Sequence, residues 1–254
     1  MTNVAEKLTT IADNIPKVYD AGKRVGAETN EAFEEGKKAA RLDWWAKYIN
    51  LQPNGIGYVY SGNNMFSGPG WSDDTFDLPY TIQELKRVDE MFKASGRIDL
   101  KSILERNGVS IKFDKCTNFQ NMFYYSGVYN IPEIDCSLAT SMRCMFDNAR
   151  GLRNIDKIIL PKEEPYNGAY EYMFNQCESL ETVTFERNIT QSVSFQWSTK
   201  LSKASIESIA TALSKSGSGK TITFSQTAVN NIPNSTWSNI YNNIIEKGWS
   251  ISLA

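Results

Sequence analysis

The stretch that decides the fold runs from Ala139 to Phe185. It reads ATSMRCMFDNARGLRNID over 139–156, KIILPKEEPYN over 157–167 and GAYEYMFNQCESLETVTF over 168–185. The two outer blocks are versions of one pattern. Each has a large residue, Met142 or Tyr170, three positions before a Met-Phe pair, Met145-Phe146 or Met173-Phe174. A polar turn follows, then a β-like run: Leu152, Ile155 and Ile158 in the first block, Leu180, Val183 and Phe185 in the second. Repetition at this interval marks a chain assembled from one supersecondary unit used several times.

Working outward, the pair recurs at Met65-Phe66, Met91-Phe92 and Met122-Phe123, so five of the seven methionines precede phenylalanine. The intervals are 26, 31, 23 and 28 residues. Val88 and Phe119 take the place of Met142 in their units, and Val128, Ile131 and Ile134 form another β-like run. The i, i+3, i+4 spacing puts three apolar side chains on one helical face, which predicts a short helix or helical turn at the start of each unit. One unit of about 25 residues cannot bury its apolar face alone, whereas stacked neighbours can. Met91, Phe92, Met122, Phe123, Met145, Phe146, Met173 and Phe174 are therefore expected as scaffold core.

The quoted blocks resemble the BspA-like leucine-rich repeats, whose pattern runs Thr-x-Met-x-x-Met-Phe, a turn, then Leu-x-x-Ile/Leu; the resemblance covers residues 87 to 186. The opening VAEKLTTIADNIPKVYDAGK (4–23) and LSKASIESIATALSKSGSGKTITFSQTAVNN (201–231) resemble proteins encoded among the structural genes of tailed bacteriophages and prophages. Together the resemblances imply an α+β fold: a short leucine-rich-repeat solenoid with an N-terminal helical attachment segment and an α/β C-terminal cap. They also imply a non-catalytic structural and binding protein of a phage particle, in a tail, baseplate or fibre appendage. Its repeats would be presented for recognition of a host-surface glycan or protein. The expected boundaries are 1–50 for attachment, 51–86 for an irregular lead-in, 87–199 for the repeats and 200–254 for the cap.

Charge marks the first boundary, since 16 of the 56 charged side chains fall in the first 50 residues. There Val4, Leu8, Ile11, Ile15 and Val18 follow the 4, 3 spacing of a heptad seam. Pro16 interrupts that seam by removing a backbone donor, so a kink or two helices are expected. Helix-favouring sequence resumes from Glu28 to Ile49, with Trp44 and Trp45 offering aromatic surface. A narrow apolar seam on a polar segment calls for partner helices, so other virion proteins and further copies of the chain are the expected partners.

At the other end, Leu201, Ile206, Ile209, Ala210 and Leu213 have helical spacing, TITFS is β-like, and a second helix and strand follow through Trp237–Ile245 and Trp249–Leu253. Ser235 is the expected N-cap of that helix and Gly248 its stop. SKSGSGKT ends like a phosphate-binding loop, but Ser214 stands where the leading glycine belongs. It also runs from helix into strand, the reverse of what aims helix N-terminal amides at an anion.

The remaining composition narrows the function classes. Histidine is absent, which removes the commonest general base and metal ligand, and no cofactor is expected. A net charge of -2 argues against nucleic acid or an anionic membrane surface as partner. Cys116, Cys136, Cys144 and Cys177 fit neither a CxxC pair nor a disulfide framework and read as reduced packing residues. The first residues lack a basic segment followed by an apolar one, so no signal peptide is expected, and the chain would be made in the host cytoplasm and leave on the virion. Asp73, Asp74 and Asp77 lack calcium-loop spacing and read as a solvated turn.

Tyr124, Tyr125 and Tyr129, just after a Met-Phe pair, and the flanking Trp71 and Trp197 are candidate ligand contacts, because each offers a flat apolar face with a polar tip. Two other readings compete. One is a bacterial surface adhesin; the other, more remote, is a polysaccharide hydrolase, which requires a carboxylate pair lining a groove.

Overall fold

The computed structural model describes residues 56–58, 61–74 and 76–254. Val4, Leu8, Ile11, Ile15, Val18, Trp44, Trp45 and the Glu28–Ile49 stretch lie outside the described residues. Those described belong to one compact unit, Gln52–Ala254.

Around the first four Met-Phe pairs the backbone amides alternate between two tasks. In one unit the N–H groups of Met91, Lys93 and Ser95 donate to carbonyls three residues back, Val88, Glu90 and Phe92. The amides between them, Glu90, Phe92 and Ala94, donate to Gln120, Met122 and Tyr124 of the next unit. Asn121, Phe123 and Tyr125 repeat this onto Arg143, Met145 and Asp147, and Cys144, Phe146 and Asn148 onto Glu171, Met173 and Asn175. The alternation requires left-handed backbone at the residue before each methionine and the third residue after it. Accordingly φ is +60° and +53° at Glu90 and Ala94, +55° and +54° at Asn121 and Tyr125, and +54° and +60° at Cys144 and Asn148. Tyr172 and Gln176 follow at +55° and +52°, and Asn64 and Gly68 at +56° and +97°.

These segments are consecutive turns, not the short helices that the periodicity predicts. A helix uses each amide internally and would leave none to tie one unit to the next. The apolar triplet still shares a face: Val88, Met91 and Phe92 are fully buried.

After each turn the chain crosses to a second side, where β-branched residues form short strands. In chain order these are β1 (Ile56–Tyr58), β2 (Thr81–Gln83), β3 (Arg97–Asp99), β4 (Gly127–Ile131), β5 (Ile134–Asp135), β6 (Asn154–Ile159), β7 (Thr182–Glu186), β8 (Val193–Phe195), β9 (Thr221–Phe224) and β10 (Ser250–Leu253). All their pairings are parallel, giving a mixed α and β architecture with parallel sheets. β6 is central to one sheet, bonded to β4, β5 and β7, while β8, β9 and β10 form another. The register shifts between Ile155 and Ile158, which explains how two residues three apart both face the core of a strand whose side-chain period is 2. Phe185 is the exception among the expected inward residues; it is half-buried, with its ring edge on Phe174.

The phenylalanines of successive units stack into a column. Ring centroids lie 4.9 Å apart for Phe66 and Phe92, 5.2 Å for Phe92 and Phe123, and 5.3 Å for both Phe123–Phe146 and Phe146–Phe174. Phe195 and Phe224 extend it at 4.6 and 6.3 Å. The expected core methionines and phenylalanines are at most 2% exposed. Beside the column runs a polar ladder, in which Asn130 donates to Asp99, Asn154 to Asn130 and Thr182 to Asn154.

Helices occupy the longer connections. α1 (Leu100–Asn107) is capped by Asp99, which accepts the Ser102 N–H, and ends on Gly108 at φ +62°. α2 (Lys203–Ala212) is capped by Ser202. α3 (Gln226–Asn230) and α4 (Asn234–Glu246) then lead into β10. α4 begins at Asn234, ahead of the expected cap Ser235; the cap position falls on Pro233, at φ −54° and ψ 137°, with no side-chain cap bond. Gly248 takes φ +81° just past its end, as a helix stop requires. Among the described residues no helix is long and apolar enough to cross a membrane.

Candidate binding surface

The left-handed turn positions aim side chains outward, and tyrosine holds two of them. Tyr125 is 56% exposed and Tyr172 54%. Tyr124 packs edge-on against Tyr125 at 4.7 Å, with the Lys93 ammonium 5.8 Å from its ring centre. Partial desolvation, aided by the neighbouring Tyr125 and Asp147, pushes the Tyr124 phenol above its ordinary value. The Arg143 guanidinium lies 5.9 Å from the Tyr172 ring and forms an ion pair with Glu171 at 2.9 Å. Asp147, nearly buried, accepts from Asn148 and Asn175 and so fixes the turn between the two tyrosines.

Of the five candidate contacts, only Tyr124 and Tyr125 are in mutual contact. Trp197 is separately exposed, at 45%. Trp71 is half-buried against Phe66 and Phe76. Tyr129 lies on β4 under the Arg97 guanidinium, 4.4 Å away, and its hydroxyl donates to Asp73 at 3.4 Å. Desolvation raises that phenol too, with Arg97 opposing. Both of these rings are held by neighbouring side chains and remain half-buried. Tyr172 escaped the sequence reading, although its place just before a Met-Phe pair was the available signal.

In the acidic triplet Asp73 and Asp74 are exposed in a turn, as expected, and Asp77 is half-buried. Asp73 accepts the Asp99 N–H at 2.5 Å and pairs with Arg97 at 3.7 Å, and Asp77 accepts from Asn107 at 2.5 Å. Asp73 and Asp77 also tie this turn to the backbone of Asp99 and to the end of α1.

Beside Tyr172 lies a hollow of about 370 Å³ lined by Glu171, Asn175, Ser192, Ser194, Gln196 and Thr223. A second hollow of the same volume shares Glu171 and Ser192 with it and reaches Glu164 and Lys220. The lining offers hydroxyls and amides beside an aromatic face, which suits a neutral polyhydroxyl ligand. Two carboxylates line the second hollow, yet each is committed to a cation, Glu171 to Arg143 and Glu164 to Lys220 at 3.4 Å. Comparison of the chain with known protein families, curated proteins and solved structures gave no match.

A cleft of about 670 Å³ also opens between α1 and β5. At its rim Glu84 pairs with Lys115 and Lys101 with Asp156, and it displays no exposed aromatic side chain. Among the described residues no cluster of three His, Cys, Asp or Glu side chains is placed to hold a metal. Cys116, Cys136 and Cys177 are buried free thiols and Cys144 is half-buried. Burial pushes Cys116 up to about 12, and its thiol donates to the Leu85 carbonyl at 3.1 Å.

The SKSGSGKT segment joins α2 to β9. A Cβ on Gly217 would lie 2.0 Å from the Trp249 ring, whose indole N–H donates to the Ser214 carbonyl at 2.8 Å. The glycine there makes room for a tryptophan.

Proposed function

We propose that this chain is a non-catalytic structural and binding protein of a bacteriophage particle, built on BspA-like leucine-rich repeats. Its N-terminal segment attaches it to other virion proteins, and its turn edge is presented for recognition. The observation that carries the binding part is the pair of outward tyrosines, Tyr125 and Tyr172, on left-handed turn residues; the Tyr125 N–H donates to Asp147 of the next unit, and the residues on either side of Tyr172 accept from Cys144 and Phe146 of the unit before. Aromatic faces on a rigid support bind with little loss of side-chain freedom. The hollow beside Tyr172 favours a surface glycan as the ligand. The particle setting rests on the resemblance of residues 4–23 and 201–231 to phage structural proteins.

Immunogold labelling of particles from an induced culture, with an antibody against residues 51–254, tests the setting. Label at one fixed place on the particle is expected; label on cell envelopes alone overturns the proposal in favour of a surface adhesin. For the binding surface, the Tyr125→Ala, Tyr172→Ala double variant is expected to lose about tenfold or more in adsorption to host cells, taking ~1 kcal/mol per aromatic contact, with Tm within a few degrees of the parent. Unchanged adsorption would remove the tyrosines from the site.

A further inference from the structure

Among the described residues the parallel ladder runs out at β10, whose outer edge pairs with no strand. β10 bonds to β9, with Ser250 donating to Lys220, Ala254 donating to Phe224 and Gln226 donating to Ala254. In a parallel pair alternate residues bond to one side, so the peptide groups of Ile251 and Leu253 face away from β9. Among the described residues no strand meets them.

The side chains of this rung are those of an interior layer. Val193 is in register with Ile222 and Ile222 with Ile251; Phe195 is in register with Phe224 and Phe224 with Leu253. Phe195, Ile222 and Phe224 are fully buried, whereas Leu253, the next member of the phenylalanine column, is 39% exposed. Tyr241 and Ile245 of α4 are each 44% exposed, and Tyr241 meets Trp237, which lies against Phe224. From Thr221 to Ile245 there is no Asp, Glu, Lys or Arg, and only Glu246 and Lys247 follow before Ala254. Lys247 turns its ammonium onto the Ala210 and Thr211 carbonyls at 2.7 Å each. Other rungs are tied by ion pairs such as Arg143–Glu171 and Lys157–Glu186. β10 carries none of the lysines, prolines or bulges by which proteins blunt a free edge.

A charge-depleted, aromatic-bearing patch has the composition of an interface core. Its open edge needs a strand, and the absence of charge gives an oppositely charged partner nothing to complement. The occupant that supplies an uncharged strand of matching length is a second copy. We infer that β10 pairs antiparallel with β10 of a second copy about a two-fold axis at Ser252. That axis sets Ile251 opposite Leu253 of the other chain and uses all four outward peptide groups, and the ladder continues from one chain into the other. It brings the two Ser252 residues together as a non-hydrogen-bonded pair, with Cα atoms about 4.5 Å apart, within reach of a disulfide. This inference is independent of the particle setting and of the N-terminal segment.

The test is oxidation of the full chain carrying Ser252→Cys at low micromolar concentration, read on a non-reducing gel. Lys200→Cys, an exposed position in the turn before α2, is the collision control, and light scattering is run on the reduced proteins. The expected result is a disulfide dimer formed at least tenfold faster for Ser252→Cys than for the control, and lost when Leu253→Lys is added. Because Leu253 is exposed, that lysine leaves the thermal transition in place. Cross-linking no faster than the control, or undiminished by Leu253→Lys, overturns the inference, including where a different protein or the N-terminal segment covers β10.

Discussion

Left-handed backbone at a residue with a Cβ costs on the order of 1 kcal/mol, and this chain places several such residues in its turns. Gly68 and Ala94 occupy the same slot, the third residue after the methionine, at φ +97° and +53°. Ala94 is exposed, and a Cβ on Gly68 would meet nothing within 4 Å, so substitutions there report the backbone alone. Ala94→Gly is expected to raise stability by about 0.5–1 kcal/mol and Gly68→Ala to lower it by about the same, read as opposite shifts in the urea midpoint. A second prediction at this scale concerns Asp99. Burial pushes its carboxyl up, but hydrogen bonds from the Ser102 N–H, the Asn130 amide and other neighbours outweigh that and hold it below the ordinary value. A carboxyl lowered by folding contributes stability that is present above its unfolded pKa of about 4 and lost as pH falls through the folded value. Asp99→Asn should therefore flatten the acid limb of a Tm-versus-pH curve between about pH 5 and 2, and a limb as steep as the parent's would assign the acid sensitivity elsewhere.

At the scale of the element, the column of rings is where the packing energy concentrates. Phe146 is fully buried between Phe123 and Phe174, and Phe146→Ala is expected to cost about 3–5 kcal/mol in equilibrium unfolding. Gly127 marks a close approach of two units, since a Cβ there would lie 2.5 Å from the Gly96 carbonyl oxygen. Gly127→Ala should cost about 2–3 kcal/mol through forced separation of β3 and β4, visible in the same measurement. Much of this layer was legible in the sequence: the Met-Phe core, the β-like runs that became β4 to β7, and the helix, strand, helix, strand order after residue 200, apart from the short α3. The turns were not, because a 3, 4 spacing says which side chains share a face and nothing about where the amides go. Phe195 and Phe224 were hidden for a different reason. Ser194 and Thr223 precede them in place of methionine, so the dipeptide that exposes the repetition is missing although the stacking continues. Tyr172 was open to reading, since the residue before the methionine faces away from an i, i+3, i+4 triplet on a helix as it does in these turns.

Across the whole described molecule, a Met-Phe unit takes its backbone bonds from the unit before it and gives its own to the unit after. Disruption should therefore spread from the ends inward. Native-state hydrogen exchange is expected to show the slowest amides at Phe92, Phe123 and Phe146, whose N–H groups bridge units, and faster exchange at Ile251 and Leu253. Uniform protection from Phe66 to Leu253 would point instead to a single all-or-none block. Exchange at Ile251 and Leu253 should also slow as protein concentration rises, if a second copy covers that strand.

The bonds between turns run in one unbroken register whatever the length of the unit, from 23 to 31 residues between methionines. The surplus residues gather elsewhere, in α1 after β3 and in the Pro161–Asn167 crossing after β6. Length is thus quantised along one margin of the molecule and free along the other. A foreign peptide spliced between the exposed Lys162 and Glu163 would be carried as cargo on the free margin, while the same peptide spliced at Tyr125 would put every later rung out of step.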